Sequence, residues 1–260
     1  MARIVIVGPG RAGMSVGLAA RSAGHEVVAL AARRPIGTDL ARSIPLTASL
    51  PDAEFVIVAV SDDAIAEVAK QLHPPGGSVI AHLSGRTSVD ALSPLGNKIG
   101  SMHPLMTLPS GEIGAPALVG AGAAITSRSE AVAGALSVFA TSLGMRPFRL
   151  PDEAKAAYHA GATAASNYVV AALAVAEQLF DAAGVPLSIA EPLVAASVSN
   201  AGRLGSLAAL TGPIVRGDIG TVRAQRDAAR EAGVEGPFVA MGTATALLVG
   251  NWEVMREVLS

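Results

Sequence analysis

Apolar runs and helical segments alternate along the first 150 residues of the chain. The runs are continuously apolar, as in strands covered on both faces of a parallel sheet. Strands are predicted over residues 4–7, 26–30, 55–60, 78–82 and 145–150, with a strand-like segment at 98–102. Helices are predicted over residues 12–23 and 64–72, and from a capping box of Ser127 and Glu130 to Leu143. The pattern predicts an α/β fold with a doubly wound, Rossmann-type sheet.

The pattern changes at Pro151-Asp152, after which the chain is Ala-rich and helical. Helices are predicted over residues 152–183, 189–200, 221–231, 237–248 and 252–259. We therefore predict a dinucleotide-binding domain at 1–150 and an all-helical domain for substrate binding and dimerisation at 151–260. Such a pair commonly binds its substrate between the two domains.

Composition excludes several classes of protein. Of the 260 residues, 51% are hydrophobic and 15% are charged, and the formal net charge of −2 argues against a nucleic-acid or anionic-membrane surface. With no cysteine there is no disulfide framework, thiolate nucleophile or cysteine-based metal site. The chain enters its first strand without the pattern of a signal peptide, and its apolar run at 168–176 is about half a bilayer span. A cytoplasmic protein without membrane contact is expected.

A glycine-rich turn follows the first strand. Gly8 permits a tight turn, Gly10 allows a pyrophosphate to approach the backbone, and Gly13 allows close packing of helix on strand. The amide groups that open the helix then face the phosphate charge. A glycine turn in another kind of α/β protein is the alternative, but the flanking strands and helix predict a dinucleotide site.

The end of the second predicted strand indicates which dinucleotide is bound. NAD sites usually carry an acidic residue there, whereas this chain has Arg33 and Arg34. Two guanidinium groups are suited to a 2′-phosphate, so NADP is predicted, with a solvated basic loop as the alternative.

The long predicted helix carries a polar stripe on an otherwise apolar surface. Its members lie within about 80° of arc, because each residue advances a helix by about 100°. They are Lys155, His159, Thr163 and Ser166. The stripe faces either solvent or a wet cleft with a ligand.

A second polar group is expected at the carboxyl ends of the strands. It comprises His82, Ser84 and His103, each of which could instead serve a turn. Two histidines without a supporting carboxylate argue against zinc, so no metal is predicted. No nucleophile elbow of a hydrolase is present.

Several segments accompany the glycine turn in a fixed order. They are Val58-Ala59-Val60-Ser61-Asp62, His82-Leu83-Ser84-Gly85, Met102-His103-Pro104-Leu105, Lys155-Ala156-Ala157-Tyr158-His159-Ala160, Ser166-Asn167-Tyr168 and Leu210-Thr211-Gly212-Pro213-Ile214. Together they resemble the Rossmann-like family joined to domain of unknown function 2520, in the wider 6-phosphogluconate dehydrogenase and ketopantoate reductase group. The resemblance covers nearly the whole chain.

The resemblance implies roles for individual residues. Lys155 corresponds to the lysine that protonates the substrate oxygen in that group, and His159 to a substrate-binding position one turn later, where ketopantoate reductases usually have Asn. Predicted cofactor-binding residues are Gly8, Gly10, Arg11, Ala12, Gly13, Arg33, Arg34, Val60, Ser61 and Ser84. Predicted substrate-binding residues are His103, Thr163, Ser166, Asn200 and Arg216.

The predicted function is an NADPH-dependent reductase of a small 2-oxo acid, with ketopantoate as the first candidate. Lys155 donates the proton and His159 orients or relays it, although the two roles could be exchanged. One alternative is an imine reductase resembling pyrroline-5-carboxylate reductase. Another is a non-catalytic NADP-binding sensor or scaffold. A homodimer is expected.

Overall fold

The computed structural model describes residues 1–260, which form two compact units, Met1–Thr163 and Ala164–Ser260. The last strand of the first unit ends at Arg149, close to the predicted domain boundary. The unit boundary itself lies within the long helix that follows. The assignment of 1–150 and 151–260 as functional domains stays a prediction.

The first unit is built on one eight-stranded sheet. Its strands are β1 (Arg3–Val7), β2 (Glu26–Ala32), β3 (Ser43–Pro45), β4 (Phe55–Val58), β5 (Val79–His82), β6 (Ile99–Leu105), β7 (Gly122–Thr126) and β8 (Arg146–Arg149). The spatial order is β3-β2-β1-β4-β5-β6-β7-β8. All neighbouring strands are parallel except β6 and β7, which are antiparallel. The strand order reverses between β1 and β4, the point at which doubly wound sheets bind ligands.

The helices of the first unit connect these strands. They are α1 (Arg11–Ser22), α2 (Ile65–Gln71), α3 (Gly111–Ala117), α4 (Glu130–Ser142) and the start of α5 (Lys155–Ala182), and 3₁₀ turns cover Asp62–Ala64, Val89–Leu95 and Asp152–Ala154. The predicted capping box at Ser127 is wrong, because Ser129 is the residue whose side chain accepts a hydrogen bond from the Val132 amide. Ser127 instead donates to the Ile99 carbonyl, which ties the loop to β6.

The alternation of side chains along β1 explains its continuous apolar run. Ile4 and Ile6 belong to one core cluster, whereas Val5 and Val7 belong to another. Successive side chains of a strand point to opposite faces, so both faces of the sheet are buried. The predicted fold class, a Rossmann-type sheet followed by a helical region, is confirmed.

Three strands and helices of the first unit were not predicted from the sequence. They are β3, β7 and α3. The strand β7 has the sequence Gly-Ala-Ala-Ile-Thr, in which small residues replace the β-branched and aromatic residues that usually indicate a strand. Its pairing with β6 also makes the sheet mostly parallel instead of wholly parallel.

The second unit is helical. Besides the remainder of α5 it contains α6 (Glu191–Leu204), α7 (Ser206–Ala209), α8 (Pro213–Arg216), α9 (Ile219–Glu231), α10 (Glu235–Leu248) and α11 (Trp252–Leu259), and a 3₁₀ turn covers Leu187–Ala190. Its core has two clusters, centred on Met255 with Val222 and on Val175 with Ala229. None of the helices in the chain has the length and apolarity needed to cross a membrane.

Candidate functional site

The glycine turn joins β1 to α1 in the way its residues predict. Gly8 has a φ of +86°, which favours glycine, and its amide donates to the Ala31 carbonyl of β2 at 2.9 Å. A Cβ atom on Gly13 would lie 2.3 Å from the Gly8 carbonyl oxygen. Close approach of α1 to the turn therefore requires glycine at both positions.

Gly10 differs from these two glycines. A Cβ atom added there would meet no protein atom within 4 Å, so packing does not require glycine. Gly10 precedes the first turn of α1, where the amide groups of Arg11, Ala12 and Gly13 have no acceptor within the helix. That turn carries no acidic side chain. Open space in front of free amides at a helix N-terminus fits an anionic group such as a pyrophosphate.

Arg33 and Arg34 follow β2, which is the neighbour of β1 in the sheet. Both side chains are exposed, and neither takes part in an ion pair or a hydrogen bond. By contrast, Arg21 on the nearby helix α1 is paired with Asp39 at 3.3 Å. The two free guanidinium groups beside the glycine turn fit a phosphate.

The loop after β4 contacts the glycine turn and the loop after β5. A Cβ atom on Gly8 would lie 2.6 Å from Val60 Cγ1. Ser61 is exposed and its hydroxyl caps no helix. The next two residues, Asp62 and Asp63, accept hydrogen bonds of 2.9 and 2.6 Å from the Arg86 guanidinium. These contacts hold two loops together at the carboxyl edge of the sheet.

Ser84 stabilises the loop after β5 through its hydroxyl group. The hydroxyl donates to Thr87 Oγ1 at 2.9 Å and accepts from the amides of Thr87 and Arg86 at 3.0 and 3.3 Å. The residue is 6% exposed. Its hydroxyl is thus engaged within the turn, and its assignment to the cofactor stays a prediction.

His82 ends β5 and is completely buried beneath this loop. Its Nδ1 accepts a hydrogen bond from the Ser84 amide at 3.2 Å, whereas Nε2 has no partner. Burial, with a smaller contribution from the charge of Lys155, lowers the pKa of His82 to about 4. His82 is therefore neutral at pH 7 and supports the loop from below.

Lys155 begins α5 and is 2% exposed. Its Nζ donates to the Thr87 carbonyl at 2.7 Å and to Ser101 Oγ at 2.8 Å, and it lies 3.8 Å from the Asp152 carboxylate. Burial lowers the pKa of Lys155 to about 8, although Asp152 and Asp62 act in the opposite direction. The ammonium group joins the start of α5 to β6 and to the loop after β5.

Asp152 strengthens the same junction. Its carboxylate accepts a hydrogen bond from the Ser88 hydroxyl and another from the Val89 amide at 3.3 Å. Asp152 and Lys155 together hold the C-terminal end of the loop that runs from Ser84 to Val89, because their partners are Thr87, Ser88 and Val89. The loop has a defined position because two charged groups of one helical turn hold it.

Two imidazole rings meet beside this loop. His103 in β6 and His159 in α5 have ring centroids 6.2 Å apart. A Cβ atom on Gly85 would lie 2.9 Å from both His103 Nε2 and His159 Cδ2, so the buried Gly85 lies between the rings. Tyr158 Oη lies 2.7 Å from His103 Nδ1. Burial raises the pKa of Tyr158 to about 12 and, with His159 and Lys155, lowers that of His103 to about 4.

The first unit thus brings together four of the predicted site residues, and sequence reasoning missed two of their neighbours. The four are Ser84, His103, Lys155 and His159. Tyr158 lies in the same Lys-x-x-Tyr-His segment as the predicted catalytic pair, but the sequence predicts no role for it at the site. Gly85 belongs to the segment His82-Leu83-Ser84-Gly85, which predicts no separate role for it. Nowhere in the chain do three or more His, Asp or Glu side chains form a group suited to a metal ion.

The remaining predicted substrate-binding residues are distributed along both units. Thr163 is half-buried at the end of the first unit, whereas Ser166 lies in the second. Asn200 in α6 and Arg216 at the end of α8 are exposed residues of the second unit. Their roles stay predictions.

The sequence matches the models of two families. Residues 2–109 match the Rossmann-like domain, and residues 122–245 match the domain of unknown function DUF2520. Comparison with curated proteins yields no significant match.

Solved structures give full-length matches. A protein from Bacteroides fragilis assigned as an NADP oxidoreductase has a TM-score of 0.81 and 20% identity, over 95% of this chain and 98% of that chain. An imine reductase from Streptomyces aurantiacus has a TM-score of 0.66 and 15% identity over 99% of both chains. A reductive aminase from Aspergillus terreus, in complex with NADPH and ethyl-5-oxohexanoate, has a TM-score of 0.66 and 18% identity, over 99% of this chain and 94% of that chain.

At these identities the likeness to solved structures shows a shared fold. The family models confirm the resemblance inferred from the sequence motifs. The chain is therefore similar to the Rossmann-like domain over residues 2–109 and to DUF2520 over residues 122–245.

Proposed function

We propose that this protein is an NADP-dependent oxidoreductase that uses NADPH to reduce a small 2-oxo acid. One observation carries the proposal. The glycine turn after β1 and the loop after β5 lie at the carboxyl edge of a single sheet, and Gly85 of that second loop meets the rings of His103 and His159. Ligands of doubly wound sheets bind at this edge, at the point where the strand order reverses. The Bacteroides fragilis and Aspergillus terreus proteins support the choice of cofactor through their NADP assignment and bound NADPH.

The residues around the glycine turn would hold the cofactor. The amides of Arg11, Ala12 and Gly13 receive the pyrophosphate over the open space at Gly10. Arg33 and Arg34 bind the 2′-phosphate, because both guanidinium groups are exposed and unpaired. The loops after β4 and β5 complete the site with Val60, Ser61 and Ser84. The bound nicotinamide supplies the hydride for the substrate carbon.

The reaction also consumes one proton, which the chain must deliver to the substrate oxygen. Lys155 and His159 are the two candidates. The ammonium group of Lys155 is buried and already donates to Thr87 and Ser101. His159 is half-buried, and no group of the chain forms a hydrogen bond with its ring. We therefore assign the proton transfer to His159, and we assign to Lys155 the positioning of the adjacent loop.

Substrate binding is assigned to His103, Thr163, Ser166, Asn200 and Arg216. The assignment of His103 is supported by geometry, since its ring adjoins that of His159. Ser166, Asn200 and Arg216 are assigned on sequence grounds alone. Asn200 or Arg216 would bind the carboxylate of the oxo acid. Ketopantoate is the first candidate because of the family resemblance.

The test is NADPH oxidation by the full-length protein over a panel of 2-oxo acids and cyclic imines. Reduction of a 2-oxo acid, with the hydroxy acid and NADP⁺ formed in equal amounts, is the expected result. If NADPH binds and no member of the panel is reduced, the protein is a nucleotide sensor or scaffold. If NADPH does not bind, the dinucleotide site itself is wrong.

Imine reduction is the second candidate function. It is supported by the match of nearly the whole chain to the imine reductase and the reductive aminase. Imine reduction also consumes one hydride and one proton, with the hydride added to carbon and the proton delivered to nitrogen. Pyrroline-5-carboxylate in the panel separates the two candidates, because a 2-oxo acid reductase leaves this cyclic imine unchanged.

We further propose that the protein is a homodimer joined through its second unit. The helix α6 has no buried residue within the single chain. Its large apolar side chains Leu193, Val198 and Leu204 are 66%, 62% and 60% exposed. Exposed apolar surface of this kind is typical of an interface. Sedimentation equilibrium checks the proposal, and a monomer at micromolar concentration would contradict it.

A further inference from the structure

Tyr158 and His103 form a pair to which the proposed function gives no joint role. Tyr158 Oη and His103 Nδ1 are separated by 2.7 Å, and the two rings meet edge to face with centroids 5.5 Å apart. Phe148 in β8 contacts Tyr158 in the same manner at 6.0 Å. Contacts from two strands therefore hold the phenol ring, and the phenol holds the imidazole ring.

The direction of the hydrogen bond follows from the acidity of the two groups. Burial favours the neutral form of each ring, and it outweighs the opposing effect of Asp62 on His103. A phenol is a stronger acid than a neutral imidazole N–H, and an imidazole nitrogen is a stronger base than a phenol oxygen. Tyr158 therefore donates and Nδ1 accepts. The single proton of the neutral His103 ring is then on Nε2.

The Nε2 atom of His103 points towards Gly85. It would lie 2.9 Å from a Cβ atom on Gly85, on the side that His159 also approaches. No group of the chain accepts a hydrogen bond from it, and Nε2 of His82 is the only unpartnered side-chain nitrogen or oxygen that is sealed from solvent. The His103 N–H group is thus fixed, uncharged and available next to the proposed proton donor.

We propose that His103 is an oxyanion-binding residue, whose Nε2–H donates a hydrogen bond to the carbonyl oxygen of the substrate, and that Tyr158 is the positioning residue that fixes this ring. The inference rests on the proposed function. Negative charge develops on the carbonyl oxygen as hydride adds to the carbonyl carbon. A donor that is already oriented stabilises this charge without reorganisation. His103 transfers no proton, because His159 supplies it.

The absence of a side chain at Gly85 is part of the same arrangement. A methyl group there would lie 2.9 Å from each imidazole ring and would force them to move. Gly85→Ala is therefore expected to lower kcat by displacing the oxyanion-binding group and the proton donor together. The backbone of Gly85 has no positive φ, so the substitution adds no conformational strain.

The first experiment determines, without any substrate, which ring nitrogen of His103 carries the proton. Nitrogen-15 NMR of the full-length protein is expected to show His103 protonated on Nε2, with Nδ1 as a hydrogen-bond acceptor. Tyr158→Phe is expected to shift the Nδ1 resonance. Tyr168→Phe is the matched control, because Tyr168 is the only other tyrosine and is 67% exposed. Protonation on Nδ1 in the unmodified protein would overturn the inference, whatever the protein reduces.

The second experiment measures turnover with a substrate that the wild type reduces. Loss of one oxyanion donor typically lowers kcat by about a hundred- to a thousandfold, which is the effect expected for His103→Ala with NADPH affinity unchanged. His103→Gln keeps a donor group and should recover part of the loss. Tyr158→Phe should lower kcat by less, because the donor remains but loses its fixed orientation.

The outcomes separate this inference from the proposed function. If the wild type reduces no substrate, the proposed function fails and the oxyanion role fails with it. If the wild type is active and folded His103→Ala retains its kcat, only this inference fails. An equal loss in His103→Gln and His103→Ala would also contradict it, because the effect would then not depend on a donor.

Discussion

The Lys155 ammonium group donates a hydrogen bond of 2.8 Å to the Ser101 hydroxyl, and both residues are almost completely buried. A lysine in this position connects the first turn of α5 to β6. Its second hydrogen bond, to the Thr87 carbonyl, fixes the loop that carries Gly85 between the two imidazole rings. Under the proposed function, this connection lets Lys155 control the position of the two imidazole groups without contacting the substrate.

Lys155→Met is expected to raise KM and lower kcat, because the loop loses its anchor. The pH profile of kcat should keep the limb that reports the proton donor, because Lys155 is not assigned the proton transfer. Steady-state kinetics over a pH series check both expectations. Disappearance of that limb in Lys155→Met would assign the proton transfer to Lys155.

His159→Ala is expected to lower kcat by about a hundred- to ten-thousandfold, the usual contribution of a general acid. Dissociation constants for NADPH, measured by fluorescence titration, should stay unchanged. His73→Ala provides the control, because His73 is an exposed histidine outside the site. Near-normal turnover in folded His159→Ala would exclude the assigned role.

Replacing both Arg33 and Arg34 by Ala should weaken NADPH binding at least tenfold and leave NADH binding about the same. Charge-assisted hydrogen bonds of this kind contribute roughly 1.5–3 kcal/mol each at most. Binding of both nucleotides to both proteins is the measurement. Arg223→Ala removes an exposed, unpaired arginine elsewhere and should change neither affinity. Equal affinity of the unmodified protein for the two nucleotides would count against the arginine clamp.

Gly10→Val should abolish cofactor binding while the protein stays folded. The Cβ atom of the added side chain would meet no protein atom within 4 Å. The backbone of Gly10 has a φ of −81°, which valine can adopt. The valine would occupy the space assigned to the pyrophosphate. Circular dichroism checks that the variant is folded, and NADPH titration checks that it has lost cofactor binding. Gly76→Val, at another open glycine, is the control, and wild-type affinity in Gly10→Val would move the nucleotide elsewhere.

Acid should destabilise the protein between pH 6.5 and pH 4 through His82. Its pKa in the folded state is about 4, below the ordinary value of 6.5, so the unfolded state binds more protons in this window. The free energy of unfolding therefore falls as the pH falls, by up to about 3 kcal/mol for one such imidazole. His103 contributes in the same direction. Urea unfolding at pH 7 and pH 4.5 measures the change.

His82→Gln tests the assignment of this acid sensitivity. Glutamine keeps an acceptor for the Ser84 amide and does not titrate, so the variant should lose less stability than the wild type on acidification. His73→Gln, at an exposed position, should behave like the wild type. An unchanged pH dependence in His82→Gln would mean that other groups carry the effect.

The sequence by itself determined those features that depend on near neighbours along the chain. The apolar run Ile4–Val7 and the glycines at 8, 10 and 13 act within one strand, one turn and one helix, so their pattern predicts both the fold class and the dinucleotide turn. The second strand with Arg33 and Arg34 follows by the same local reasoning, because its end must adjoin the turn in a parallel sheet. These predictions needed only the period of the side chains and the stereochemistry of glycine.

Only the tertiary structure decided which polar side chains meet. Lys155 bonds to Ser101, 54 residues earlier, and Tyr158 bonds to His103, 55 residues away. Whether a polar helical stripe faces solvent or a neighbour depends on packing between elements, which local periodicity does not encode. The strand β7 could not be predicted for the same reason, because its small residues form a strand only through pairing with β6. Thus the burial that fixes the Lys155 ammonium group and neutralises His82 and His103 is a property of the assembled sheet and its loops.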